Sequence, residues 1–148
     1  MTSVVIDDHI LGDILTGERP PDLDGVASNG VATTGLWLFR LCSSLANPTV
    51  AGRLSAPVSA LPAEGIAQFR SQLTALPDEI EVLSMRQLSW SMAELQQRHR
   101  DAGRAMSAAM VEALAAAHHL DTGIAVSKHV GPRLRAAAEV DGIALLAL

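Results

Sequence analysis

Residues 3–21 read SVVIDDHILGDILTGERPP, and the order of side chains in this stretch decides the fold. Four strand-forming residues, Ser3 to Ile6, run straight into Asp7 and Asp8. From Ile10 the apolar residues Ile10, Leu11, Ile14 and Leu15 recur at helical spacing, and Gly17 is a natural stop. A short buried strand that ends in acids and passes directly into a helix is the opening of a β-α unit. The two acids either cap the helix or hold a metal.

Working outward, residues 35–45 (GLWLFRLCSSL) read as a mostly buried helix. Pro48, Pro57 and Pro62 divide the next stretch into short pieces. Residues 63–75 form a helix that carries Ile66, Phe69 and Leu73, and Pro77 follows it. Residues 79–85 (EIEVLSM) alternate as a strand does, and 86–100 return to helix with Leu88, Met92 and Leu95 on one face. Met106, Ala109, Met110, Ala113, Leu114 and Ala117 give 105–118 a continuous apolar stripe. GIAVS at 123–127 is a strand, Gly131-Pro132 opens another helix, and GIALLAL at 142–148 is a last strand. GVASNGVATT, residues 25–34, is ambiguous, with two glycines that suggest turns around a short strand.

Strands separated by helices need crossover connections, so the sheet should be largely parallel and covered on both faces. The expected architecture is a three-layer α/β/α sandwich in a single domain over 1–148. The chain has 148 residues, 49% hydrophobic and 18% charged, which suits one folded core. Aromatics are only 3%, so the core must be built from aliphatic residues and much alanine, with closely packed layers. The formal charge of −5 excludes a protein that attracts polyanions over its whole surface. The lone Cys42 cannot form an internal disulfide, and it reads as a small core residue rather than a reactive thiol. Asp7 and Asp8 interrupt any leader-like apolar run, and nothing is long and apolar enough to span a membrane. The expectation is a soluble, cytoplasmic protein.

Sites in open α/β sheets form at the carboxyl ends of strands. Two such ends are polar here: Asp7-Asp8-His9 and Ser127-Lys128-His129. If their strands are neighbours, both clusters meet on one rim. Asp7 is the better metal-ligand candidate because it follows the strand directly. Asp8 is a metal candidate too, but it reads first as the cap of the following helix. His9 reads as solvent-facing or as a structural hydrogen-bonding group. His118-His119 diverge around a helix and do not chelate one ion together. No phosphate-binding glycine loop, serine-hydrolase elbow or zinc spacing occurs.

The ordered series VVIDDHILGDILTGE, LTALPDEIEVLSMRQLSWSMAELQQRH and MSAAMVEALAAAHHLDTGIAVSKHVGPRLRAAAEVDGIALLAL resembles PIN-domain proteins, and among them the VapC type of toxin–antitoxin modules. The resemblance implies a magnesium-dependent endoribonuclease. In such proteins several carboxylates from separate elements hold one or two Mg ions that activate water. It also implies a homodimer and a cognate antitoxin lying across the cleft. Asp7 falls on the first family acid. The second position lies in 35–45, which contains no acid but has Arg40. For the third, Glu112 is the nearest carboxylate, about 130° off the apolar stripe and so expected in solvent. The fourth falls on His129.

The candidate catalytic residues are thus Asp7, Glu112 and His129, with Asp7 and Asp8 as metal ligands and Arg40 and Lys128 as substrate-binding cations. One acid of four matches plainly. An expected Arg40–Asp7 contact, with His129 nearby, would take over the ion's electrostatic role. Two readings follow from the resemblance: a divergent nuclease that still cleaves RNA, with His129 as a general acid or base, or a PIN-like fold whose site is incomplete and which binds a partner. An unrelated small α/β protein is a third. Trp37 and Phe39 lie in an apolar helix. Trp90 falls off its helix's core face and is expected to be partly buried against a neighbour. RHRDAGR at 98–104 and RLR at 133–135 either contact phosphates or form solvated helix faces.

Overall fold

Val4, Val5 and Ile6 are β-branched and apolar on both faces, a composition that suits only the middle of a covered sheet. In the computed structural model, which describes residues 3–47, 49, 54–128 and 130–148, they form the central strand β1 (Val4–Ile6). The other strands are β2 (Val31–Thr34), β3 (Ile80–Leu83), β4 (Ile124–Val126) and β5 (Leu145–Ala147). Their order across the sheet is β3-β2-β1-β4-β5, and every pairing is parallel. Val4 pairs with Val31 on one side of β1, and Val5 with Ile124 on the other.

Eight helices join the strands among the described residues: α1 (Asp8–Leu15), α2 (Leu23–Val26), α3 (Gly35–Ala46), α4 (Ala56–Ser59), α5 (Ala63–Thr74), α6 (Met85–Asp101), α7 (Ala108–Leu120) and α8 (Pro132–Val140). The expected three-layer α/β/α arrangement is present. One core lies between the sheet and α1, α3 and α5, where Ile6, Ile10, Leu11, Leu41 and Phe69 meet. The other lies between the sheet and α6, α7 and α8, and holds Val5, Leu88, Leu95, Leu114 and Leu134. Successive residues of β1 supply opposite cores, as strand alternation requires.

The ambiguous GVASNGVATT segment contains β2. Gly30 enters it at φ +99°, and a side chain there would press against the Glu79 carbonyl oxygen at 3.1 Å. Glycine therefore serves the approach of β2 to β3 and is not a sign that the strand is missing. The second departure concerns α7. Its apolar stripe suggested one exposed face, yet Val111 through Ala117 are all buried. The helix is walled by α6, α3 and strands β1, β2 and β4. Its many alanines permit that close approach, as the composition implied.

The far end of the second core carries a buried polar network. His99, continuing the Leu88–Leu95 face of α6, is fully buried. Its Nε2 lies 2.8 Å from Asp141 Oδ2 at the end of α8. Arg98 pairs with the other Asp141 oxygen, and the Arg104 Nε–H donates to His99 Nδ1 at 2.8 Å. Because an arginine nitrogen can only donate, Nδ1 accepts, so neutral His99 carries its proton on Nε2 and donates it to Asp141. The network ties α6 to α8 through residues that share no sequence motif.

Candidate functional site

β1 and β4 are neighbours, so Asp7-Asp8-His9 and Ser127-Lys128 reach the same rim of the sheet. A cleft of about 350 Å³ opens there. Asp7, Asp8, His9, Arg40, Ser107 and Ser127 line its polar side, and Trp37, Met110, Val130 and Leu134 form an apolar wall.

Asp7 is buried and both of its oxygens are engaged. Oδ1 accepts from the Ile10 N–H at 2.9 Å, which caps α1, and Oδ2 accepts from the Ser127 N–H at 2.8 Å, beyond β4. One carboxylate thus starts a helix and clamps the exit of the adjacent strand. Burial pushes its carboxyl above the usual aspartate range. The Ile10 and Ser127 amides oppose that shift, Asp8 adds to it, and His9 opposes it. The capping role expected of Asp8 therefore belongs to Asp7, while Asp8 is the first residue of α1 itself. There its charge complements the helix dipole.

Arg40 does reach this rim, but its partner is Asp8 and not the expected Asp7. Arg40 Nε lies 3.2 Å from Asp8 Oδ2. The physical reason is orientation: the Asp7 carboxylate is turned inward to the Ile10 and Ser127 amides, while Asp8 stands one step along α1 and meets α3 through Arg40. The Asp8 side chain is 7% exposed and that of Arg40 is 49% exposed, so the guanidinium forms a lid over a buried carboxylate.

Glu112 also departs from expectation. It was expected in solvent and is 0% exposed. Its Oε2 accepts from the Leu36 N–H at 3.0 Å, in the first turn of α3, and Oε1 has no hydrogen-bond partner. Burial raises its carboxyl above the ordinary range, against the pull of the Leu36 and Gly35 amides and the Thr34 hydroxyl. Glu112 therefore serves the N-terminus of a neighbouring helix, which Thr34 also caps through the Trp37 N–H. Glu112 does not line the cleft that Asp7 and Asp8 share.

Lys128 is exposed in the turn after β4, outside the cleft lining, and His129 lies outside the described residues. His9 is half-buried at the cleft. Trp37 is buried and forms part of the cleft wall, whereas Phe39 is 67% and Trp90 78% exposed. The partial burial expected for Trp90 is absent; its indole N–H instead donates to Glu94 one turn along. Cys42 is half-buried, and burial raises its thiol above the usual value.

Sequence reasoning missed Ser127 as an Asp7 partner, because the contact is made by a backbone N–H that every residue but proline carries. Ser107 caps α7 through the Met110 N–H, so the helix starts at Ala108, three residues beyond the 105 that the apolar stripe suggested.

Among the described residues, the side chains as placed do not come together as a magnesium centre of the kind the resemblance implies. Each Asp7 oxygen already accepts a backbone amide, Asp8 is ion-paired, and Glu112 is turned toward α3. No group of three or more His, Cys, Asp or Glu among the described residues is placed to hold a metal ion. A hard cation needs several oxygen ligands and compensation of its charge. Among the described residues no helix is long and apolar enough to cross a membrane. No protein-family model matches the sequence, and no curated protein is significantly similar to it.

Proposed function

We propose that this chain is a PIN-like, VapC-type protein whose metal-dependent endoribonuclease site is incomplete, with cleavage weak or lost, and whose cleft serves to bind a protein partner. The observation that carries the reading is the engagement of the rim acids. Asp7 accepts two backbone amides and Asp8 is held under Arg40. An arginine at the rim supplies the positive charge that a divalent ion would otherwise bring. The carboxylates remain useful as caps and clamps after catalysis is dispensed with.

Partner binding is supported by the cleft's mixed lining, and the exposed Phe39 on α3, outside that lining, offers a separate apolar contact. A cognate antitoxin segment, or a second copy of the chain in a homodimer, is the occupant that the resemblance suggests.

The test pairs calorimetry with a cleavage assay. Magnesium and manganese are titrated into the wild type and Asp7→Asn, and both proteins are incubated with single-stranded RNA. The expected result is no saturable metal binding and no RNA loss that Asp7→Asn abolishes. Metal-dependent cleavage by the wild type that disappears in Asp7→Asn would restore the active-nuclease reading.

A further inference from the structure

The basic run RHRDAGR resolves into two groups with different fates. Arg98 is neutralised by Asp141. Arg100 and Arg104, by contrast, face a separate hollow of about 430 Å³, lined by Gln96, Arg100, Gly103, Arg104, Ala105 and Met106. That lining holds two guanidinium groups and an amide, and no acid. In a chain of net charge −5, a concave surface with unopposed positive charge is locally distinctive.

Arg104 is also held in place before any ligand arrives. Gly103 takes φ +75° just past α6, and the Arg104 N–H returns to the His99 carbonyl at 2.8 Å. This is the glycine-terminated helix end in which the residue after glycine folds back over the last turn. The side chain repeats the backbone's direction, because Arg104 Nε donates to His99 Nδ1. His99 is fixed in turn by Asp141, whose side chain is 2% exposed. Of the five N–H donors of Arg104, one is used in this way, and the guanidinium makes no other hydrogen bond or ion pair among the described residues. Arg100 has no ion-pair partner among the described residues and stands one helical step from His99.

We propose that the hollow formed by Arg100, Arg104 and Gln96 at the end of α6 is a binding site for a phosphoryl group, with Arg104 as its preoriented fork. A guanidinium whose Nε is tethered presents its terminal nitrogens in one plane, the geometry that takes two oxygens of a phosphate. Arg100 adds charge from the adjacent turn, and the Gln96 amide adds a neutral donor. The Asp141–His99 pair is a positioning device: it removes rotamer freedom that ligand binding would otherwise have to freeze. The site shares no lining residue with the Asp7 cleft, and it does not depend on how that cleft is read.

The same chemistry is offered by a free phosphorylated metabolite and by a nucleic-acid backbone, and two arms of one experiment separate them. The full chain, labelled with nitrogen-15, is titrated with inorganic phosphate while amide shifts are followed. Saturable shifts are expected at Gly103, Arg104 and Ala105. Arg100→Ala, an exposed change that leaves the buried network intact, should weaken binding about tenfold, and Arg104→Lys should do the same by losing the fork. A single-stranded RNA oligomer is then added. If it moves the same amides and its affinity falls steeply with salt, the natural source is a phosphodiester backbone. If it leaves them unmoved while phosphate still binds, the source is a small phosphorylated ligand. The proposal is overturned if phosphate gives no saturable shift at these residues, or if Arg100→Ala and Arg104→Lys, folded by their spectra, bind phosphate as tightly as the wild type.

Discussion

The Asp7 rim and the His99 network are both buried polar clusters, built on opposite principles. At the rim, carboxylates are satisfied chiefly by backbone amides, from Ile10, Ser127 and Leu36. In the network, side chain meets side chain, from Arg98 through Asp141 and His99 to Arg104. Behind the rim, at the start of α3, Glu112 Oε1 is left buried without a partner, and burial raises both Asp7 and Glu112. Amides bring partial charge only, so a carboxylate dressed in them still bears much of its desolvation cost. Full charges brought to a carboxylate, as Arg98 brings its own to Asp141, offset that cost better but demand that every member stay in place.

The contrast yields an ordered set of expectations. The largest effect should come from breaking the side-chain network. His99→Ala removes a buried ring and strands Asp141 and Arg104, and should destabilise by about 3 kcal/mol, read as a lower urea midpoint at unchanged slope. A change below roughly 1 kcal/mol would mean that the network is ornamental. Asp7→Ala comes next. It removes a helix cap and the clamp on β4, for about 2 kcal/mol, and Asp7→Asn should cost less because one acceptor oxygen survives.

The third expectation concerns pH and sharpens the electrostatic half of the contrast. Asp7, Asp13 and Glu112 are all raised by burial. A raised carboxyl binds its proton more tightly in the folded than in the unfolded chain. These groups therefore add stability on acidification, and the addition is lost as pH rises from their unfolded values through their higher folded values. Glu112→Gln keeps an acceptor for the Leu36 N–H but cannot ionise. It should shrink the melting-temperature gain on acidification toward the ordinary glutamate range by roughly 2 °C, and raise stability slightly at neutral pH. An identical pH profile in wild type and variant would show that the buried oxygen is solvated after all. The smallest effect is expected for Arg40→Ala. Its guanidinium is half-exposed, so loss of the Asp8 pair should cost no more than about 0.5 kcal/mol, with a weaker response at high salt.

The same two regions mark how far the sequence could be read. Strand β1, helix α1 and the meeting of β1 with β4 at one rim were legible, because short apolar runs ending in acids have few other uses in an α/β fold. Strand β2 was obscured by Gly30, whose left-handed backbone looks like a turn until the neighbouring Glu79 carbonyl is known. Glu112 was misplaced because helical periodicity assumes one wet face, and the middle of α7, Val111 to Ala117, has none. The partner of Arg40 could not be chosen between adjacent aspartates, since that choice depends on which one the amides had already claimed. The network was invisible for a simpler reason. His99 and Asp141 lie 42 residues apart, and neither carries a motif.

The position of β1 has a consequence for the chain as it is made. One side of this strand pairs early, since Val4 meets Val31, but the other side waits for Ile124. While the ribosome is still adding the residues between, a row of apolar side chains and free backbone donors stands open at the centre of the future sheet. Helix α7, rich in alanine and buried from Val111 to Ala117, emerges just before that edge is closed. A cell producing this protein must therefore keep a half-built core from sticking to its neighbours while the residues between β2 and β4 are translated.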